Sequence, residues 1–478
     1  MPTDVRSPLV AGKAAAGGAP RSIVHPHDGS RVATVADSTR ATVEAALAAA
    51  ERGAAVMRSL TSHERATILE RATERLAGRA EELARTIALE AGKPLRDARV
   101  EAARCATTFR TAAEEARRIG GEVLPIDAVA SGRGRTGITR RFPIGIVTAI
   151  TPFNFPLNLA AHKVAPALAA GNSVCLKPAP RTPLSAFALA DALLEAGCPR
   201  EAISVLPGEP PAIDPLIDDP RVAMVSFTGS AAVGWSIPAR APRKRITLEL
   251  GGNAAALVHR DADVDFAAER CVAGAFTYAG QVCIRAQRLL VHEEVAPRFV
   301  DAFVARAKAL RRGAPLDEAT EIGPMIDAAA AARAASWVDE ALSRGADRVI
   351  GGPPEGAWFP PTVLRRVPPD AKASCEEIFA PVVTLETYRE LDDAVARADR
   401  SRFGLQAGLF TNDLAGLLRA FERLHVGALV HNDVPMFRAD PMPYGGVKDS
   451  GLGREGLRAA IESMTELRLL VLRPDPRA

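Results

Sequence analysis

The chain has 478 residues, of which 47% are hydrophobic and 24% charged, and its 60 basic and 57 acidic residues leave a formal net charge of +3. This length predicts two or three domains with substantial cores, and the composition excludes a lone binding module and wholesale disorder. The charge is spread along the chain and no stretch of eighteen apolar residues occurs. We therefore expect neither a nucleic-acid nor a membrane partner.

Six cysteines are spread through the chain without the close Cys or His spacing of a metal site or a disulfide framework. They are Cys105, Cys175, Cys198, Cys271, Cys283 and Cys375. The first twenty residues also lack the unbroken apolar segment of a signal peptide. We expect a reduced, cytoplasmic protein that binds no metal and is not exported.

The N-terminal part of the sequence predicts helices. After a loose lead-in of about twenty residues, Asp37 and Ser38 are candidate caps for a helix that begins near Thr39. Apolar residues then recur every three or four positions between arginines and glutamates. This pattern predicts helices over about 40–58, 63–91 with a break, and 95–118.

From residue 140 the pattern changes to short apolar runs rich in β-branched residues, separated by helical segments. These runs are GIVTAI, NSVCLKP, AISVLPG, VAMVSFTG and ITLELGG. A second series follows from about residue 255, with AAALV, QRLLVHEE, VVTLETY, GLQAGLF and GALVHND. Strands that alternate with helices predict two parallel α/β layers.

Two segments fall outside both series. Residues 121–143, which contain GRGRTGITRRF, interrupt the first series, and the C-terminal TELRLLVLR has strand character without a following helix. Strands of this kind often pair with something outside their own domain.

A carboxylate and a thiol stand 34 residues apart, Glu249 in LELGG and Cys283 in GQVC. Such a pair suits a nucleophile with a general base. Each residue also has an ordinary explanation, because a cysteine among apolar neighbours is commonly a packing residue and a glutamate before Gly-Gly can support a turn. The spacing alone leaves both interpretations open.

Five further motifs occur in the chain and make a stronger pattern. They are PFNFP at 152–156, KPA at 177–179, FTGSAAVG at 227–234, EEIFAP at 376–381 and PYGGVKDSGLGREG at 443–456. Together with LELGG and GQVC, they strongly resemble the NAD(P)-dependent aldehyde dehydrogenase superfamily, in order and over about residues 25–472. The resemblance implies an enzyme that oxidises an aldehyde to a carboxylate.

The resemblance implies three catalytic residues. Cys283 would attack the aldehyde carbonyl and form a thiohemiacetal, from which hydride leaves for the nicotinamide. Asn154 would join the backbone N–H of Cys283 in holding the developing oxyanion. Glu249 would activate the water that hydrolyses the thioacyl-enzyme, a task that suits a carboxylate with a raised pKa.

A second implied set would bind NAD or NADP. Gly229 and Ser230 would meet the pyrophosphate, Lys177 the adenosine ribose, and Glu377 with Phe379 the nicotinamide ribose and ring. The remaining cofactor positions implied are Thr151, Phe153, Pro180, Phe227, Val233 and Leu250.

The preference between NAD and NADP depends on the residues at positions 180 and 181. Many NAD-preferring relatives carry a glutamate where this chain has Pro180, and Arg181 follows it. Loss of a carboxylate beside a guanidinium favours a 2′-phosphate. We therefore expect tolerance of NADP or a preference for it.

Four positions depart from the commonest family pattern. They are Phe153 for tryptophan, Asn253 for lysine, Val282 before the nucleophile and Ala380 for glycine. None of these changes removes a chemical group that the implied mechanism requires.

Four residues are candidates for binding the substrate. Asn158 and His162 lie one turn apart on the helix after PFNFP and predict a polar wall, although both could simply satisfy buried carbonyls. Arg438 lies in the loop that borders the substrate mouth in relatives, and Arg285 follows the nucleophile by two residues. Because arginine is abundant in this chain, surface roles for both remain open.

These features resemble the branch that contains lactaldehyde, non-phosphorylating glyceraldehyde-3-phosphate and phosphonoacetaldehyde dehydrogenases. We expect a small polar or anionic aldehyde, with a phosphonate or phosphate aldehyde first. Lactaldehyde or a general aliphatic aldehyde is the alternative.

The family fold implied is α/β with three parts. A Rossmann-like cofactor domain would comprise residues 1–120 and 144–252, an α/β catalytic domain residues 253–456, and a small β oligomerisation arm residues 121–143 and 457–478. In the family this arm pairs with a neighbouring subunit, which implies a homodimer or homotetramer.

Two rival interpretations remain at this stage. A non-catalytic scaffold would have lost the chemical residues, and all three are present. A reductase that transfers the acyl group to coenzyme A commonly lacks the base that Glu249 supplies here.

Overall fold

The computed structural model describes residues 5–474. Its strands are β1 (Val5–Arg6), β2 (Leu9–Val10), β3 (Lys13–Ala14), β4 (Gly17–Val24), β5 (Arg31–Ser38), β6 (Val123–Leu124), β7 (Thr136–Pro143), β8 (Ile146–Ile150), β9 (Ser173–Lys177), β10 (Ile203–Val205), β11 (Val222–Thr228), β12 (Arg245–Glu249), β13 (Ala254–Val258), β14 (Ala286–His292), β15 (Asp347–Ile350), β16 (Thr362–Arg365), β17 (Val382–Tyr388), β18 (Phe403–Gly404), β19 (Gln406–Phe410), β20 (Ala428–His431), β21 (Val447–Lys448), β22 (Gly451–Leu452) and β23 (Thr465–Leu472).

Helices connect most of these strands. They are α1 (Arg40–Ser59), α2 (Ser62–Gly78), α3 (Ala80–Ala91), α4 (Leu95–Ala116), α5 (Asn158–Ala169), α6 (Leu184–Glu195), α7 (Pro215–Asp218), α8 (Ala231–Gly234), α9 (Ile237–Arg240), α10 (Val264–Phe276), α11 (Ala296–Lys308), α12 (Ala328–Ser343), α13 (Lys372–Cys375), α14 (Leu391–Asp399), α15 (Leu414–Arg423) and α16 (Leu457–Ser463).

The first large sheet has eight strands in the order β22-β12-β11-β8-β9-β10-β2-β3. Its five central strands run parallel. Neighbouring residues on these strands point to opposite faces, so Val147 packs with helices α2 to α6 while Ile146 packs with α1 and α7. Both faces are therefore covered, which explains why these strands are mostly buried and rich in apolar residues.

The second large sheet has seven strands in the order β15-β16-β17-β14-β13-β19-β20. Only β15 runs antiparallel to its neighbour. Leu289 and Val291 pack with α10 to α12, whereas Leu290 between them packs with α14 and α15. This sheet is likewise covered on both faces.

The predicted outlying segments form a small sheet of their own. Strands β23, β7 and β6 pair antiparallel, with Thr465 opposite Pro143 and Leu472 opposite Thr136. The apolar side chains of β23 are exposed. The other small sheets are β1-β5-β4 and β18-β21.

The predicted strands are confirmed in both series, and so are the helices, with the break in the second one at Arg79. Two expectations at the N-terminal end are wrong. Within the described residues, the lead-in forms strands, because β2 pairs with β10 and β4 with β5. The cap of α1 is Thr39, whose hydroxyl accepts from Thr42 N–H, and the helix begins one residue later.

The chain places its chemical motifs at one edge of each large sheet. PFNFP, KPA, FTGS and LELGG all follow the carboxyl ends of parallel strands in the first sheet, where α/β folds commonly bind ligands. GQVC and EEIFAP precede strands β14 and β17 of the second sheet. Only four residues, 250–253, separate β12 from β13, so these two edges lie close together. Between residues 5 and 474, the structure contains no helix that is long and apolar enough to cross a membrane.

Candidate active site

A cavity of about 480 Å³ lies between these edges. Its walls bring the three predicted catalytic residues together with six of the predicted cofactor residues. The lining residues are Pro152, Phe153, Asn154, Leu159, Thr228, Gly229, Ser230, Glu249, Leu250, Gly251, Cys283, Arg333, Trp337, Glu377 and Phe379. Arg333 and Trp337 come from α12, which carries no motif noted in the sequence.

Cys283 stands at the end of a strained segment of backbone. Tyr278, Ala279 and Gly280 all have φ values between 50° and 69°, and glycine is the only one of the three that readily adopts them. Tyr278 is fully buried and donates its hydroxyl hydrogen to Ala91 O at 2.7 Å, which helps to hold this conformation. The strained turn thus fixes the approach of the chain to Cys283.

The Cys283 thiol faces the cavity but is surrounded by protein on its other sides. Burial raises its pKa to about 11, while a hydrogen bond from Tyr444 and the charge of Arg438 act in the opposite direction. The sulfur lies 3.1 Å from the Tyr444 hydroxyl oxygen. The thiol is therefore largely protonated at neutral pH.

Asn154 is held with its amide directed at the loop of Cys283. Its side-chain Nδ2 donates to Gln281 O at 2.9 Å. The Gln281 side chain is held in turn, because its Nε2 donates to Tyr278 O and its Oε1 accepts from Ile326 N–H. The amide and the thiol loop are therefore parts of one hydrogen-bonded unit.

A buried ion pair holds the segment that carries Asn154. Lys93 Nζ lies 2.5 Å from Glu101 Oε2, and both side chains are almost fully buried. The other oxygen of Glu101 accepts from the backbone N–H groups of Leu157 and Asn158, at 3.0 and 3.1 Å. The Lys93 ammonium also lies 3.5 Å from the centre of the Phe155 ring. Lys93 and Glu101 thus hold the PFNFP segment from both sides.

Glu249 ends strand β12 and is 2% exposed. Burial, followed by the charge of Glu455, raises its pKa well above the ordinary value. Neither carboxyl oxygen has a hydrogen-bond partner among residues 5–474. A buried carboxyl without partners is the state expected of a group that hydrogen-bonds water or a reactant.

A cluster of charged side chains lies behind Glu249. Lys163 Nζ lies 2.6 Å from Glu455 Oε1, and Arg438 Nη2 lies 3.2 Å from Glu455 Oε2. Burial acts to raise the pKa of Glu455, but Lys163 and Arg438 hold it at about 2. All three side chains are buried. Lys163 and Glu455 were not among the residues predicted from the sequence, although a lysine inside the apolar helix α5 was a usable signal.

Glu377 lies close to the Gly251-Gly252 turn. Its carboxylate accepts from Gly252 N–H at 3.0 Å, and burial raises its pKa to about 7. A side chain at Gly251 would collide with this carboxylate. Phe379 stands edge-on to Phe153, with ring centres 5.9 Å apart.

The FTGS turn leaves bare backbone on the cavity wall. A side chain at Gly229 would meet the ring of Phe227, and the Gly229 N–H donates to Glu249 O at 3.1 Å. The Thr228 hydroxyl is buried and lacks a partner within the described chain. A wall of glycine backbone with one free hydroxyl fits the close approach of a phosphate-bearing cofactor.

A second cavity of about 500 Å³ continues from the first, because Phe153 lines both. Pro180 and Arg181 line it together with Arg21 and Glu209. Two neighbouring cavities that share one residue fit a two-part ligand such as a dinucleotide.

The remaining predicted cofactor residues lie around these cavities without lining them. Lys177 is mostly buried, and burial lowers its pKa. Thr151 N–H donates to Lys177 O at 3.1 Å, so the two residues are held together. Phe227 packs beneath Gly229, and Val233 is exposed on the short helix α8.

The structure corrects the expectation for Arg285. Its guanidinium points away from the cavity, where it donates to Val382 O at 2.8 Å, Ile378 O at 3.3 Å and Gln287 Oε1 at 3.0 Å. Because Arg285 immediately precedes strand β14, its side chain joins the neighbouring backbone instead of the substrate space.

The two polar residues of α5 are also engaged by protein. Asn158 Oδ1 accepts from Thr108 Oγ1 at 3.1 Å, and His162 Nε2 lies 2.9 Å from Asp440 Oδ1. Burial lowers the pKa of His162 to about 4, so the ring is neutral at pH 7. Neither residue lines the cavity.

Arg438 is buried and does not stand at a surface mouth. Its guanidinium carbon lies 3.7 Å from the centre of the Tyr444 ring, whose hydroxyl reaches the Cys283 sulfur. Of the four predicted substrate residues, Arg438 is the one that the structure connects to the nucleophile.

Fold and site together define a class of oxidoreductase that pairs a cysteine with a dinucleotide across an α/β cleft. The model of the aldehyde dehydrogenase family matches residues 14–470, and the chain belongs to this family. The sequence-based prediction of family, fold and enzymatic class is thereby confirmed, as is the use of NAD or NADP.

The similarity extends over nearly the whole length of several relatives. A 3-sulfolactaldehyde dehydrogenase from Priestia aryabhattai is 44% identical over 441 residues, which cover 92% of each chain. The crystal structure of aldehyde dehydrogenase 21 from Physcomitrella patens, in complex with the reaction product succinate, matches with a TM-score of 0.97 and 40% identity over 100% of both chains. Glyceraldehyde-3-phosphate dehydrogenase from Methanocaldococcus jannaschii, complexed with NADP, matches with a TM-score of 0.91 and 38% identity, over 95% of this chain and 98% of that one.

Proposed function

We propose that this aldehyde dehydrogenase acts on a small aldehyde that carries an anionic group. The observation that supports this most directly is the buried guanidinium of Arg438, one aromatic ring away from the Cys283 sulfur. A phosphonate or phosphate aldehyde remains our first choice, and a sulfonate offers the same tetrahedral oxyanion chemistry.

The charge balance around the nucleophile favours an anion. Lys163 and Arg438 bring two positive charges, whereas Glu455 brings one negative charge. Burial and the charge of Glu455 raise the pKa of Glu249, which favours its neutral form. The cluster therefore carries an excess of one positive charge in a poorly solvated space, where its field is weakly screened.

The activities and ligands for which the relatives are named support the same class of substrate. The Priestia enzyme is named for a sulfonated aldehyde, the moss structure holds a carboxylate product, and the Methanocaldococcus enzyme is named for a phosphorylated aldehyde. All three ligands are small and anionic.

The proposed reaction begins at Cys283. After the Cys283 thiol gives up its proton to solvent, the thiolate attacks the carbonyl carbon, and the carbonyl oxygen becomes an oxyanion within reach of the Asn154 amide and the Cys283 backbone N–H. The residues that line the two cavities would hold NAD(P), which would supply the hydride acceptor. Loss of hydride from the thiohemiacetal leaves a thioester on Cys283.

Glu249 completes the cycle in this proposal. Its carboxylate takes a proton from a water molecule, which attacks the thioester carbonyl, so that the C–S bond breaks and the carboxylic acid leaves with the thiolate restored. A raised pKa makes Glu249 a stronger base once it is ionised. Its two free oxygens allow it to receive this water.

The test compares substrates that differ in charge and little else. We expect kcat/KM to be at least about tenfold higher for 3-sulfolactaldehyde, phosphonoacetaldehyde and glyceraldehyde 3-phosphate than for lactaldehyde, or about 1.4 kcal/mol of transition-state preference. Arg438→Gln should reduce this ratio. Arg288→Gln is the matched control, because Arg288 is also buried but donates only to backbone carbonyls outside the cavity.

A ratio near one in the unmodified enzyme would contradict the proposal and favour a neutral hydroxyaldehyde such as lactaldehyde. A ratio that survives Arg438→Gln unchanged would remove Arg438 from the explanation. Running each substrate with NAD and with NADP measures the cofactor preference in the same experiment.

We also propose a homodimer or homotetramer in the cytoplasm, with the domain division predicted from the sequence. The arm of residues 121–143 and 457–474 presents Leu467, Leu469 and Leu470 to solvent on strand β23, and a second subunit would cover such a surface. Light scattering of the purified protein measures its mass. A monomer at micromolar concentration would contradict this proposal.

A further inference from the structure

The Tyr444 hydroxyl is the polar group nearest to the nucleophile that the mechanism above leaves unused. We propose that Tyr444 is a further catalytic residue, whose O–H donates a hydrogen bond to the Cys283 sulfur and holds it as the attacking thiolate. The inference rests on the proposed role of Cys283. It is carried by the 3.1 Å separation of the two atoms and by the way in which Tyr444 is fixed.

The backbone holds Tyr444 firmly. Its N–H donates to Glu455 O at 3.0 Å and its carbonyl accepts from Glu455 N–H at 2.6 Å, so that the two residues form a β-bridge. Val282, Ile284 and Leu405 pack around the ring, which is 3% exposed. The hydroxyl therefore meets the sulfur with little loss of conformational freedom.

The charged groups around the sulfur make Tyr444 a donor and not a base. Burial keeps the pKa of Tyr444 well above its ordinary value, so the phenol retains its proton at neutral pH. Glu249 and Glu377 also face the thiol and disfavour a thiolate, whereas Arg438 favours one. Since Arg438 lies over the face of the ring, its positive charge strengthens the O–H as a donor.

The hydrogen bond is worth most when the sulfur is charged, because bonds to ionised groups are stronger than those between neutral ones. Tyr444 thus stabilises the thiolate selectively over the thiol. Tyr444 should therefore affect the step in which the charged sulfur attacks the aldehyde, and not the binding of the aldehyde.

Alkylation of the full-length enzyme by iodoacetamide tests this directly, with labelling of the Cys283 peptide followed by mass spectrometry across pH. We expect Tyr444→Phe to lower the alkylation rate at pH 8 about tenfold, which corresponds to a pKa higher by about one unit. Tyr388→Phe is the matched control, since Tyr388 is also buried but donates to Val258 O, far from the thiol. An unchanged alkylation profile in Tyr444→Phe would overturn the proposal.

A second measurement covers the case in which Tyr444→Phe does not fold. The chain contains three tyrosines, so 3-fluorotyrosine can replace them all in the intact sequence. A more acidic phenol is a better donor, and Cys283 alkylation should then be faster at pH 8. No acceleration would also overturn the proposal. Failure of Cys283 as the nucleophile would appear separately, as turnover that survives Cys283→Ala.

Discussion

The two ends of the dinucleotide cleft differ in how their charged residues are held. At the catalytic end, Lys93, Lys163 and Arg438 are buried and each has a carboxylate partner at 3.2 Å or less. At the other end, in the cavity lined by Pro180 and Arg181 that we propose binds the adenosine and call the adenosine end, Arg181 is half exposed and lies 2.7 Å from Asp327, which is itself partly exposed. Both ends use ion pairs, but only the catalytic end removes them from water.

This difference decides how far each residue can be replaced. A buried ion left without its partner is strongly destabilising, whereas a surface pair in water contributes little. The catalytic end should therefore respond sharply to single substitutions, and the adenosine end weakly.

The largest effect is expected at the nucleophile. Cys283→Ala should lower kcat by at least about 10⁴-fold, because no other described cysteine lines the cavity. Cys375→Ala is the control, since Cys375 is partly exposed and its thiol donates to Asp370 O. Steady-state formation of NAD(P)H measures both. Turnover that persists in Cys283→Ala would show that the chemistry does not depend on this thiol.

A smaller but clear effect is expected when the buried ion pair that supports the PFNFP segment is broken. Lys93→Met leaves the Glu101 carboxylate buried without its cation, which should destabilise the protein by about 3–5 kcal/mol and lower kcat as Asn154 loses its support. Arg99→Met on helix α4, which also carries Glu101, is the control, because Arg99 pairs with Glu81 and Glu318 in solvent. Thermal inactivation and kcat should change in Lys93→Met alone. Equal effects in both variants would contradict the comparison.

The smallest effect is expected at the adenosine end. Arg181→Ala should change the ratio of kcat/KM for NADP over NAD by less than about fivefold, since an exposed pair contributes about 1 kcal/mol or less. Arg458→Ala controls for the loss of a surface charge, as Arg458 pairs with Glu462 outside both cavities. A tenfold or larger loss of NADP use would show that Arg181 leaves Asp327 to bind the 2′-phosphate.

The sequence was sufficient to predict the features that depend on a short, local pattern of residues. The strands, the helices of the N-terminal part and the motifs at the strand ends were all recognisable, because each follows from a periodicity or a short string. Cys283, Glu249 and Asn154 were named from the family resemblance that these short strings carry, and the structure places them around one cavity.

The sequence was insufficient to predict contacts that depend on the direction in which a side chain points. Arg285 follows Cys283 by only two residues, yet it turns to the carbonyls of Ile378 and Val382. The contacts of Tyr444 and Lys163 also depend on segments far apart in the chain. The N-terminal strands were missed for a similar reason, since β2 pairs with β10, almost 200 residues away.

The raised pKa of Glu249 affects turnover and the stability of the fold in opposite directions. The folded chain holds this proton more tightly than the unfolded chain does, so the carboxyl favours the folded state in acid, and that contribution is lost as the pH rises through the raised pKa. In the proposed mechanism, hydrolysis needs the ionised form. The pH that favours rapid turnover is therefore the pH at which Glu249 destabilises the fold. The rest of the core must supply the free energy that keeps the chain folded.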